Sequence, residues 1–122
     1  MAIGDITTAA IATLDYSTNT TSEQCMVHHS GNTYVAVCAS TASRYFVIHT
    51  LHISDDGATI TSVDSWQLPS VTSTVGPTCI KIAPQLFLFY GKTTVGTEAF
   101  TVQIDNSGVI TKAKYTTSGT LS

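Results

Sequence analysis

Charge is scarce in this chain. Asp, Glu, Lys and Arg make up 11% of its 122 residues, against roughly 25% in an ordinary globular domain. Five side chains are basic and eight acidic, for a net charge of −3. Nothing here offers the basic footprint that nucleic acid or an anionic membrane surface requires. Long hydrophobic runs are missing too, and no stretch approaches the ~20 apolar residues of a membrane helix. The opening Met1-Ala2-Ile3-Gly4-Asp5 has neither the basic start nor the apolar core of a secretory leader. That predicts a cytoplasmic protein by default, or one whose leader lies outside this sequence. There are three cysteines, an odd number, so at least one thiol is free unless it bridges chains. They read as small buried apolar residues.

Catalytic motifs are equally sparse. There is no nucleophile elbow G-x-S-x-G, no P-loop and no G-x-G-x-x-G. His28 and His29 are neighbours, and His49 and His52 differ by an odd number. On strands each pair points to opposite faces, which suits no zinc site. Asp55 and Asp56 lack the alternating oxygen ligands of an EF-hand loop. The acids lie mostly in or beside turns, and no pair is spaced as acid and base. The expectation is a non-enzymatic protein with no metal and no cofactor.

Thr, Ser and β-branched residues fill the space that charge leaves, a composition that favours strands and turns. The turn Ser54-Asp55-Asp56-Gly57-Ala58-Thr59-Ile60-Thr61 recurs as Asp105-Asn106-Ser107-Gly108-Val109-Ile110-Thr111, and more weakly as Gly4-Asp5-Ile6-Thr7. A period near 50 residues is that of a propeller blade. Strands are expected over 6–14, 25–29, 34–39, 45–53, 59–66, 79–82, 86–90, 99–105 and 109–115. Residues 67–76, with Pro69, read as a connector. A two-residue turn at Gly31-Asn32 pairs His29 with Tyr34, His28 with Val35 and Cys25 with Cys38, which makes a Cys25–Cys38 disulfide conceivable. Cys79-Ile80-Lys81-Ile82 aligns with Cys25-Met26-Val27-His28, and Leu86–Tyr90 with Tyr34–Cys38.

At residues 54–60 the sequence resembles the Asp-box of sialidase-like β-propellers, which reads Ser/Thr-x-Asp, an optional residue, Gly-x-Thr and an aromatic. Ser54, Asp56, Gly57 and Thr59 fit, and Ile60 stands in the aromatic place. The copy at 105–110 is degenerate, with Ser107 at the Asp position. The resemblance implies a turn between the third and fourth strands of a blade. It carries over no catalytic residue, and Arg44 is the lone arginine where sialidase chemistry needs a cluster. The expected fold is all-β: two propeller-type four-stranded antiparallel blades, residues 25–68 and 77–117, plus an extra N-terminal strand. A single-domain β-sandwich is the rival.

Two blades cannot close a ring alone, so a homo-oligomer is expected, with a trimer giving six blades. Strand 4–14 could complete a neighbour's blade. The function read from this is a binding module, for glycan-like polar ligands or a protein surface, with a structural protein of a phage or surface assembly as the alternative. Trp66, Arg44, Tyr45 and Tyr90 are the ligand-binding candidates. Trp66 could stack on a sugar ring or pack between blades.

Overall fold

The computed structural model describes residues 20–40, 45–93 and 96–114. The N-terminal strand expected over 6–14 lies outside them. Seven strands follow in order: β1 Thr20–Ser30, β2 Thr33–Ser40, β3 Tyr45–Ile53, β4 Ile60–Ala83, β5 Leu86–Thr93, β6 Gly96–Ile104 and β7 Ile110–Lys114. Each is antiparallel to its sequence neighbour. The described residues contain no helix.

The connector expected over 67–76 is instead part of β4. This strand pairs with β3 up to Thr72 and with β5 from Ser73 onward. It is therefore the last strand of one four-stranded sheet, β1–β4, and the first strand of a second, β4–β7. Pro69 falls where Gln67 and Thr72 pair with Val47 and Tyr45, so β4 has extra residues there. Proline cannot donate to a ladder, and it sits in a gap where no donor is needed.

Gly31 and Asn32 do form the first hairpin's turn, but the register differs from the expected one. Ser30 pairs with Thr33, then His28 pairs with Tyr34 and Cys25 with Val37. His29 is an extra residue on β1, a bulge that shifts everything beyond it by one. Cys38 pairs with Gln24, so the Cys25–Cys38 disulfide is ruled out by register. All three cysteines are free.

The bulge recurs. Lys81 pairs with Phe87 and Ala83 with Leu86, leaving Ile82 extra. Ile53 N donates to Asn32 O at 2.9 Å, and Ile104 N to Gln85 O at 3.0 Å. Tyr34 pairs with Leu51 as Phe87 pairs with Val102. These correspondences make His29 equivalent to Ile82, Met26 to Cys79, and Tyr34 to Phe87. The sequence alignment of Cys25 with Cys79 and Tyr34 with Leu86 is thus off by one residue each way. A one-residue slip exchanges the faces of a strand.

This register fixes how the sheets meet. The face bearing Met26, His28, Tyr34, Ala36, His49 and Leu51 in the first sheet corresponds to Cys79, Lys81, Phe87, Phe89, Phe100 and Val102 in the second. We refer to it as the front. The core joins Val35, Val37 and Ile48 from the back of the first sheet to Cys79, Phe87, Phe89, Phe100 and Val102 from the front of the second, with Cys25, Val27 and Trp66 packed against it. The sheets stack back to front, in the same sense. Phe89 and Phe100 stack at 5.4 Å between ring centroids.

Candidate functional site

The two repeated turns are built from the same bond with its partners exchanged. In the β3–β4 turn Ser54 Oγ donates to Asp56 Oδ1 at 2.7 Å. Asp56 Oδ1 also accepts Ala58 N at 3.0 Å, and Ser54 Oγ accepts Thr59 N at 3.0 Å. In the β6–β7 turn the carboxylate comes first and the hydroxyl third: Ser107 Oγ donates to Asp105 Oδ1 at 2.6 Å, which also accepts Ser107 N and Val109 N at 2.9 Å. Gly57 and Gly108 take positive φ of 70° and 96°, and each donates its N–H to the first residue's carbonyl at 2.8 and 3.0 Å. The second turn is therefore a reciprocal arrangement, and no loss of the motif. Ser54 holds Asp56 below the usual carboxylate range, with Ala58 N helping. Ser107 does the same for Asp105, with Val109 N.

The turn end is stitched between sheets. Thr50 Oγ1 donates to Gly108 O at 2.6 Å, and Ile110 N donates to Asp64 Oδ2 at 2.9 Å. Within the first sheet, Asn32 Nδ2 donates to Asp55 Oδ1 at 2.7 Å, joining its two turns at this end. His29 is buried, and its Nε2–H is shared between Ile104 O at 3.1 Å and Asp105 O at 2.7 Å. Its ring meets Phe87 edge-on at 4.9 Å, and its Nδ1 has no hydrogen-bond partner. Lys81 Nζ donates to His29 O. His28 Nε2–H donates to Gly31 O at 2.7 Å. His29 and His28 are thus turn and inter-sheet fasteners. His49 is buried, and burial lowers its pKa. Among the described residues no group of three or more His, Cys, Asp or Glu could hold a metal ion.

The ligand-binding candidates do not come together. Trp66 lies on the back of the first sheet beside Ile48 and meets Phe100 of the second at 6.2 Å. It packs between the sheets. Tyr45 opens β3 opposite Thr72, and only its backbone is described. Arg44 lies outside the described residues. Tyr90 is 46% exposed, but on the back of the second sheet, where it pairs with Thr78 and Ala99.

That back face is what sequence reasoning missed. Ile80, Ile82 and Tyr90 are 50%, 48% and 46% exposed, and Leu86 and Leu88 between them are half-buried. Their first-sheet equivalents, Val27, His29, Val37 and Val35, are packed against the second sheet. The signal was available in the turns. Gly31-Asn32 and Pro84-Gln85 both close hairpins, and aligning them, instead of the cysteines, gives the right faces. No helix among the described residues is long and apolar enough to cross a membrane. No family model matches the chain, and no curated protein or solved structure matches it significantly.

Proposed function

We propose that this chain is a non-enzymatic interaction module whose two sheets are blades of a larger ring made with further copies of itself. The observation that carries the reading is the apolar β4–β5 half of the second sheet's back, beside which β6 and β7 place Thr101, Gln103, Lys112 and Lys114. The equivalent face of the first sheet is buried by a front face. The occupant best matched to Ile80, Leu88 and Tyr90 is therefore another front face, supplied by a second copy of the chain. Of the first sheet's front, Met26 at its β1 side is 56% exposed and would make the contact, while Ala36, His49 and Leu51 are already buried within the chain. Three copies would supply six sheets and a closed rotation. A contiguous exposed apolar patch of this kind marks an interaction surface. Tyr90 lies between Thr78 and Ala99 on this face, and a glycan site would need several polar groups converging beside it.

Light scattering on a sizing column tests this. A mass near three times 12.9 kDa supports the ring. Leu88→Asp should then lower the mass to one chain while leaving the circular dichroism unchanged. A wild-type monomer at every concentration would sink the proposal. Binding on a glycan array, lost in Tyr90→Ala at unchanged mass, would shift the function to sugar recognition.

A further inference from the structure

We propose that Cys25 and Cys79 are a redox pair that closes into a disulfide between the two sheets when the folded chain meets a low-molecular-weight disulfide. The register that separates Cys25 from Cys38 also turns it toward Cys79. Cys25 lies on the back of the first sheet and Cys79 on the front of the second. Their sulfurs are 3.7 Å apart, and Cys25 Sγ is also 3.7 Å from Cys79 O. The two sulfurs are thus at van der Waals contact, and a disulfide would bring them to about 2.05 Å. Cys25 is half-buried and Cys79 buried, so the pair has one accessible member and one sheltered member. Cys38 lies on the other face of its sheet, paired opposite Gln24, and is not in this contact.

The chemistry balances with oxidised glutathione. Cys25 loses its proton to solvent, and the thiolate attacks one sulfur of the oxidant. One glutathione thiolate leaves and is protonated. Cys79 then loses its proton and attacks Cys25 Sγ in the mixed disulfide, expelling the second glutathione. Two protein thiols give up two protons and two electrons, and one small disulfide becomes two thiols. Burial, with Cys25 beside it, pushes the Cys79 thiol up to about 12. The second step is therefore the slow one and quickens as pH rises. The bond would tie β1 to the second half of β4 and so fasten the sheets to each other.

The test is incubation of the native chain with oxidised glutathione, then alkylation and trypsin digestion without reduction. Cleavage after Arg44 and Lys81 leaves Cys25 and Cys38 on residues 1–44 and Cys79 on residues 45–81. The proposal expects these peptides linked in the wild type and in Cys38→Ser, with fragmentation placing the bond on Cys25. It expects no link in Cys25→Ser or Cys79→Ser, and a lower yield when urea unfolds the chain first. The linked protein should melt about 10 °C or more above the reduced one. Persistent glutathionylation of Cys25 without a link, a link through Cys38, or equal yield from the unfolded chain would overturn it.

Discussion

His29 and Ile82 occupy the same bulge of two successive sheets, and one is buried at 2% exposure while the other stands 48% exposed. The difference is what lies beyond each. His29 has a sheet to reach and bonds two of its carbonyls, at Ile104 and Asp105. Ile82 meets none among the described residues.

Equivalent substitutions should therefore have unequal effects. His29→Ala removes a buried ring and strands two carbonyls, at a cost of about 2–4 kcal/mol. His29→Gln, which can still donate, should cost less. Ile82→Ala should change the urea midpoint of a single chain very little. Equal losses at the two sites would contradict the equivalence.

The reciprocal turns predict a rescue. Ser54→Asp and Asp56→Ser each leave the β3–β4 turn without a hydroxyl–carboxylate pair. Made together, they recreate the Asp105/Ser107 order. The double variant should unfold at a higher urea concentration than either single one. A double variant no better than the worse single would show that the turns are not interchangeable.

Gly108 and Gly31 both have positive φ, at 96° and 52°. A Cβ on Gly31 meets open space, whereas one on Gly108 would stand 3.1 Å from Thr33 Cγ2 and 3.2 Å from Val63 Cγ1. Gly31→Ala should cost about 1 kcal/mol, the conformational penalty alone. Gly108→Ala should cost more, about 2–3 kcal/mol, because φ of 96° lies outside the left-handed helical well and the neighbours crowd. Chemical denaturation of the two variants checks the order.

Acid should weaken the fold in two steps. Burial lowers the pKa of His49 below the ordinary histidine value of 6.5. The unfolded chain thus binds this proton first, and stability falls as pH drops below about 6.5. Asp56 and Asp105 have pKa values lowered from 3.8 by Ser54 and Ser107. Their contribution is whole above that value and is lost as pH falls through the lowered ones. Urea midpoints measured from pH 8 to 2 should show both declines, with the upper one missing in His49→Gln and the lower one reduced in Asp56→Asn.

Much of the strand pattern was legible. β3 spans the expected 45–53, because its apolar run is bounded by a loop and by Asp-Asp-Gly. The turn glycines were legible as left-handed positions. So was the packing role of Trp66 between sheets, although its partner Phe100 was not. Two things were not legible. The bulge at His29 depends on a contact with Ile104 and Asp105, 75 and 76 residues away, which no local pattern carries. The continuity of β4 was hidden by Pro69, a usual strand breaker that here falls in a pairing gap. Aligning Cys25 with Cys79 is wrong by one residue, enough to exchange front for back.

Stacking two sheets in the same sense gives the pair a direction. A pair related by a two-fold axis would bury one kind of face and end with the same face outward on both sides. Here the ends differ, a front on one side and a back on the other. Nothing in that symmetry terminates the series. In the proposed ring, the stack would end where the rotation brings the last back onto the first front.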